Sequence, residues 1–133
     1  VLSGGYRKGF ARNGLKVEQR IAQPLSGLIE SGDISSDKLH GEASRILGPI
    51  RNCSHILLAC THYPAIVPVL KQFVSANAEF IDPAGSLVQK IRGWELDKGG
   101  EDEFLTSGDP GSMKLSARMA FGVEIGTVST ARF

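Results

Sequence analysis

Hydrophobic residues in this chain form short continuous runs and stripes with helical spacing. The run Ile56–Ala59 predicts a strand over 55–59 that is buried on both faces, since such strands are continuously apolar. Upstream of it, the spacing predicts a helix over 36–49 that is capped by Ser35 or Ser36. The apolar stripe of that helix consists of Leu39, Ala43, Ile46 and Leu47.

The same patterns predict further elements along the chain. We expect helices over 3–13, 24–30, 83–94 and 112–121, and a helix that starts near Val67 after an irregular turn over 63–66. We expect strands at the start of 15–22 and over 79–81, 104–106 and 123–128. Strands that alternate with helices indicate an α/β fold with a largely parallel sheet and flanking helices.

Charge and composition narrow the range of partners. The 133 residues carry a formal net charge of +1 with acids and bases scattered, so we expect no nucleic-acid partner. The apolar runs are far shorter than a membrane span, so we expect no membrane partner. Cys53 and Cys60 form neither a disulfide framework nor a CxxC metal motif, which predicts a reducing cytoplasm and no bound metal. The chain begins with Val1 rather than Met, and we interpret it as a fragment or a processed product.

The most informative motif is Cys60-Thr61-His62-Tyr63-Pro64, directly after the predicted strand. Ligands of parallel α/β sheets lie beyond the carboxyl ends of the strands. On an extended chain Cys60 and His62 share a side, so the imidazole can set the protonation of the thiol, and a following helix N-terminus favours a thiolate and a bound carboxylate. The motif predicts cysteine chemistry on a small anionic substrate. The alternative is an inert buried cysteine beside a histidine at a loop mouth.

The residues around this motif resemble the glutamate racemase family in four ordered places. The signature Gly-Cys-Thr-His-Tyr-Pro of that family is similar to 59–64, and its Ser-x-x-Tyr helix start is similar to 3–6. Its Cys-Pro-Leu…Leu-Val-Glu segment resembles 23–30, and its Ile-Asp-Ser-Ala and Thr-x-Gly-Asp runs resemble 81–84 and 106–109. The resemblance covers nearly the whole chain.

This resemblance implies a function and a set of site residues. The family interconverts L- and D-glutamate without a cofactor and supplies D-glutamate for bacterial cell-wall synthesis, using two cysteines on opposite faces of the substrate α-carbon. It implies that Cys60 is one catalytic cysteine, that His62 is its acid/base helper and that Thr61 binds substrate. Glu30 corresponds to an active-site glutamate of the family, whereas its local sequence alone indicates a solvated acid at a helix end. We expect glutamate as the substrate, a homo-oligomer and no cofactor.

The sequence also departs from the family pattern. Ala59 replaces a glycine and Gln23 a common cysteine, and both changes are minor. The Asp-Ser pair and the Cys-Asn-Thr motif of the family's first domain do not occur in the 133 residues. Cys53 cannot replace the second thiol, because seven residues of strand place it roughly 20 Å from Cys60. We therefore expect a second racemase domain over 1–95, and over 96–133 a tail that would return to the missing first domain.

Three other functions compete with glutamate racemisation. Related racemases of aspartate or hydantoins usually carry another residue in place of His62. A cysteine phosphatase is excluded, because Ile66 stands where the arginine six positions after the nucleophile is required. A half-racemase that binds a carboxylate without catalysis remains open. Without the partner thiol, we expect the chain alone to be inactive.

Overall fold

The computed structural model describes residues 3–94 and 99–132. Its α-helices are α1 (Gly5–Ala11), α2 (Gln23–Glu30), α3 (Asp37–Leu47), α4 (Val67–Leu70), α5 (Pro83–Arg92) and α6 (Pro110–Phe121). Single turns of 3₁₀-helix cover Gly48–Ile50, Tyr63–Ile66 and Lys71–Phe73. No helix within the described part of the chain is long and apolar enough to cross a membrane.

In the part of the chain that the structure describes, four short strands form two separate parallel pairs. The strands are β1 (His55–Leu57), β2 (Glu79–Ile81), β3 (Phe104–Thr106) and β4 (Val128–Thr130). β1 pairs with β2 so that Ile56 lies opposite Phe80, and β3 pairs with β4 so that Phe104 lies opposite Val128. Helices flank both pairs, so the predicted α/β class with parallel strands and flanking helices is confirmed.

The core lies between α2, α3, α4 and β1. The four stripe residues predicted for α3 are all buried there, together with Leu25 and Ile29 from α2 and Ile56 from β1. The side chain of Ser36 accepts a hydrogen bond from the backbone N–H of Leu39 at 3.1 Å, so Ser36 is the N-cap of α3. The prediction for this helix is thus confirmed, and the serine that caps it is identified.

Three predicted strands need correction. β1 ends at Leu57 and is buried on one face, because Ile56 faces the core while the alternating His55 faces solvent. Residues 15–22 form no strand, because no neighbouring strand pairs with them, and most of their side chains are exposed. The last strand is Val128–Thr130 rather than 123–128, since its pairing with β3 begins at Val128.

Helix α6, near the end of the chain, packs against α2. The hydroxyl of Ser116 donates a hydrogen bond to the backbone carbonyl of Glu30 at 2.8 Å. Gly32, at φ +82°, lies so close to α6 that an added Cβ would be 2.7 Å from Sδ of Met119. These contacts tie α6 to the helix that carries Glu30. The predicted boundary between residues 95 and 96 lies outside the described residues.

Candidate active site

The backbone brings Cys60 just beyond the end of β1. The backbone N–H of Leu58 still bonds to the carbonyl of Ile81 at 2.9 Å, and the chain then leaves the sheet at Ala59. Cys60 lies at a bend, and Thr61 and His62 form a turn that leads into the 3₁₀ turn Tyr63–Ile66. Pro64 and Pro68 lack backbone N–H donors, which suits them to the starts of the 3₁₀ turn and of α4. The helix predicted near Val67 therefore has the expected irregular start.

Cys60 and His62 lie side by side on this turn. Sγ of Cys60 is 3.2 Å from Nδ1 of His62, within hydrogen-bond distance for sulfur. Both side chains are partly buried. The thiol and the imidazole can therefore exchange a proton directly.

Glu30 reaches the opposite nitrogen of the same imidazole. Its Oε1 lies 3.2 Å from Nε2 of His62, and the exposed fractions of the side chains are 60% for Glu30 and 33% for His62. A carboxylate at this distance favours a proton on Nε2, which leaves Nδ1 free to accept the proton of Cys60. The resulting imidazolium would lie between a thiolate and a carboxylate. The structure thus brings Cys60, His62 and Glu30 into one row.

Two further side chains in the site are Ser26 and Tyr63. Ser26 is 4% exposed, and its Oγ lies 3.5 Å from Sγ of Cys60 and 3.4 Å from the hydroxyl oxygen of Tyr63. Sequence reasoning did not single out Ser26. A signal was present, because Ser26 and Glu30 are four residues apart on a helix and therefore share a face.

These neighbours alter the acidity of Cys60. Burial acts to raise the pKa of the thiol, but hydrogen bonds from Ser26 and from the backbone and side chain of His62 outweigh it, so the pKa of Cys60 lies below its ordinary value. The pKa of the Tyr63 hydroxyl is raised, first by burial and then by the adjacent Cys60 sulfur. The site therefore makes the Cys60 thiol easier to ionise and the Tyr63 phenol harder to ionise.

The predicted contribution of a helix N-terminus to this acidity needs correction. The regular helix does not begin at Cys60, because a 3₁₀ turn and the four-residue α4 follow it. The backbone donor that acts on the sulfur is the N–H of His62. A local amide and side-chain hydrogen bonds thus replace the helix dipole invoked from the sequence.

Thr61 and Cys53 lie outside this row. The side chain of Thr61 is exposed beside Cys60. Cys53 precedes β1, and its backbone N–H bonds to the carbonyl of Ile50 at 2.9 Å.

A cavity of about 530 Å³ lies along 58–82, and Cys60, His62 and Glu30 do not line it. Within 3–94 and 99–132, no three His, Cys, Asp or Glu side chains form a group that could hold a metal ion.

The known sequences that are similar to this chain include several glutamate racemases. No family model matches the chain. A glutamate racemase of Synechococcus sp. (strain CC9605) is 36% identical over 95 residues, which cover 68% of this chain and 36% of that protein. A glutamate racemase of Bacillus cereus is 29% identical over 140 aligned positions, covering 96% of this chain and 52% of the relative. The chain thus spans about a third to a half of the length of these relatives.

Solved structures with a similar fold belong to the same family. A glutamate racemase isoform of Bacillus anthracis superposes with a TM-score of 0.73 over 89% of this chain and 47% of its own, at 21% identity. A glutamate racemase of Francisella tularensis, solved in complex with D-glutamate, gives a TM-score of 0.67 over 88% of this chain and 47% of its own, at 20% identity. Sequence and fold therefore agree: the chain belongs to the aspartate/glutamate racemase family and is consistent with the C-terminal portion of a glutamate racemase.

Proposed function

We propose that this chain supplies one of the two proton-transfer groups of a glutamate racemase. The observation that carries the proposal is the row Cys60–His62–Glu30, in which an imidazole lies 3.2 Å from the thiol on one side and 3.2 Å from a carboxylate on the other. Similarity to glutamate racemases along most of the chain supports glutamate as the substrate. Cys60 and His62 are the proposed catalytic residues, and Thr61 and Glu30 the proposed substrate-binding residues.

The proposed step is a proton transfer at the substrate α-carbon. The Cys60 thiolate takes the α-proton, so that an S–H bond forms, the Cα–H bond breaks and the electron pair remains on the α-carbon and its carboxylate. In the reverse direction the Cys60 thiol delivers its proton to the same face. His62 can receive the thiol proton through Nδ1 and restore the thiolate, while Glu30 stabilises the imidazolium. The step requires no metal or cofactor.

A single thiol serves one face of the α-carbon. Inversion needs a second proton-transfer group on the opposite face. Cys53 does not provide it in this proposal, because Cys53 precedes β1 whereas Cys60 follows it. We propose that residues 1–95 form the second racemase domain and that 96–133 form a tail toward the first. The 133-residue chain alone is then expected to have negligible racemase activity, since losing a positioned acid or base costs about 10²–10⁴-fold.

The wider role follows from the proposed reaction. D-glutamate supply for peptidoglycan synthesis, and thereby for cell shape, would place the chain in the cytoplasm. Exposed apolar side chains on α6, including Leu115 and Phe121, support self-association into a homo-oligomer.

A second candidate is a carboxylate-binding module that does not catalyse. It is favoured by the position of the two cysteines, because Cys53 precedes β1 whereas Cys60 follows it. A racemase for aspartate or a hydantoin is the remaining alternative, and substrate comparison separates it from the glutamate enzyme.

The experiment follows optical activity of purified chain with L-glutamate, L-aspartate or a hydantoin, and binding of glutamate by calorimetry. We expect glutamate binding that weakens in Thr61→Ala, and no net racemisation. Fast racemisation by a verified monomer would overturn the one-face proposal. Preference for aspartate or a hydantoin would overturn the substrate assignment.

A further inference from the structure

Ser26 is a buried hydroxyl whose partners both belong to the candidate active site. It is 4% exposed, and a buried hydroxyl is costly unless it is hydrogen-bonded. Its Oγ lies 3.5 Å from Sγ of Cys60 and 3.4 Å from the hydroxyl oxygen of Tyr63. The turn that carries Cys60 and Tyr63 therefore satisfies a polar group of α2.

The hydroxyl of Ser26 has one proton to donate and two possible recipients. A thiolate only accepts hydrogen bonds, so when Cys60 is ionised the Ser26 O–H donates to Sγ, and the Tyr63 O–H can donate to Ser26 in turn. When Cys60 is a thiol, its S–H can donate to Oγ, and Ser26 then donates to Tyr63. The oxygen–oxygen distance of 3.4 Å is long for a hydroxyl pair, so the Ser26 proton is not held firmly toward Tyr63.

We propose that Ser26 is a positioning residue that reverses its hydrogen bond each time Cys60 gains or loses a proton. This inference rests on the proposed function, in which Cys60 alternates between thiol and thiolate. The hydroxyl of Ser26 does not itself titrate. It can therefore donate a hydrogen bond to the thiolate whatever the protonation state of His62. The hydrogen bond from Ser26 thus stabilises the thiolate in addition to the hydrogen bonds from His62.

Charged and titratable side chains lie on the three elements around Ser26 and Cys60. Glu30 lies on α2 with Ser26, and His62 and Tyr63 lie on the turn after Cys60. Helix α6 packs against both elements, and its charged side chains are Lys114 and Arg118, of which Arg118 pairs with Glu124 at 3.2 Å. A test of Ser26 must therefore leave each of these groups in place.

The test measures how fast iodoacetamide alkylates Cys60 as a function of pH, in the 133-residue chain carrying Cys53→Ser. For Ser26→Ala we expect the midpoint to rise by about one pH unit. At pH values below the midpoint the thiolate fraction then falls about tenfold, but the more basic thiolate is about threefold more nucleophilic, so the alkylation rate there falls roughly threefold. Ser26→Thr keeps a hydroxyl and should restore the midpoint. Ser31→Ala is the matched control on the same stretch, because that hydroxyl donates to the carbonyl of Leu28 instead.

Tyr63→Phe provides an independent variant at the other partner of Ser26. It should shift the midpoint by less than Ser26→Ala does, because Ser26 can still donate to the sulfur. An unchanged midpoint in folded Ser26→Ala would overturn the proposal. A shift in folded Tyr63→Phe as large as that in Ser26→Ala would also overturn it, and so would a Ser26→Thr variant that behaves like Ser26→Ala. The measurement uses no substrate, so a failure of the racemase proposal leaves its result intact.

Discussion

Glu30 and His62 meet across two elements that are far apart in sequence, with Oε1 of Glu30 3.2 Å from Nε2 of His62. This contact connects the end of α2 to the turn after β1. Because His62 also lies 3.2 Å from the sulfur of Cys60, the carboxylate can influence the thiol through the imidazole. Glu30 thus has a structural connection to the chemistry proposed for Cys60.

The first prediction concerns that connection. Glu30→Gln replaces the carboxylate that lies 3.2 Å from Nε2 of His62 by a neutral amide, which is a weaker acceptor, so the alkylation rate of Cys60 at pH 7 should fall. We expect a fall of less than about fivefold, because exposed ion pairs contribute roughly 0.2–1 kcal/mol. Glu42→Gln is the control, since Glu42 pairs with Arg45 on α3 instead. Equal rates in Glu30→Gln and Glu42→Gln would show that the contact does not influence the thiol.

The second prediction assigns the acidic thiol. Cys53→Ser should retain the low-pH phase of alkylation, whereas Cys60→Ser should lose it, because the hydrogen bonds from Ser26 and His62 act on Cys60. Mass spectrometry of the alkylated peptides provides the assignment. A low-pH phase that survives Cys60→Ser would contradict the site.

A third prediction follows from the lowered pKa of Cys60. Between the folded pKa and the unfolded value of about 8.5, the unfolded chain holds a proton on Cys60 that the folded chain does not. Stability due to this thiol is therefore fully present above about pH 8.5 and is lost as the pH falls through the folded pKa. The difference in free energy of unfolding between the chain and Cys60→Ser should be larger at pH 9.5 than at pH 6. Urea titrations at both pH values measure it, and a larger difference at pH 6 would contradict the sign.

The fourth prediction tests the start of α3. Ser36→Ala removes the side chain that accepts the N–H of Leu39 and should lower the free energy of unfolding by about 1 kcal/mol. Ser35→Ala is the matched control and should cost less, because the cap oxygen belongs to Ser36. Equal losses in the two variants would place the cap elsewhere.

The fifth prediction tests how α6 docks on α2. Gly32→Ala should be more destabilising than Gly14→Ala, although both glycines have positive φ. At Gly14 no atom lies near an added Cβ, so the cost is that of the left-handed backbone, about 1–2 kcal/mol. At Gly32 the end of the Met119 side chain must also move, and Met119→Ala in the same chain should remove that additional cost. Equal costs at the two glycines would contradict this packing.

Features that depend on neighbouring residues were predictable from sequence. The stripe of α3 is set by helical spacing. A serine before an apolar stripe restricts the cap to Ser35 or Ser36, and the structure identifies Ser36. Apolar residues between turn residues predict the short strands 79–81 and 104–106, and the structure has both. The contact between Cys60 and His62 follows from local sequence, because residues two apart on an extended chain share a side.

Features that depend on residues far apart in the sequence could not be predicted from local patterns. A strand over 15–22 fits the local pattern, but pairing requires a partner strand, which the local pattern cannot supply. Ser26 was missed because its role depends on which face of α2 meets the turn after β1. Glu30 was selected by family resemblance, and its contact with His62 depends on the same rotation of α2.

The proposed function depends on proton exchange between Cys60 and one face of the α-carbon of glutamate. The most direct measurement is proton NMR of D- and L-glutamate in heavy water with the purified chain, and with Cys60→Ser and Cys53→Ser. We expect that the α-proton signal of one enantiomer is lost with retention of configuration, that Cys53→Ser preserves this loss and that Cys60→Ser abolishes it. Glutamate binding without any loss of the α-proton signal, or loss that persists in Cys60→Ser, would contradict it.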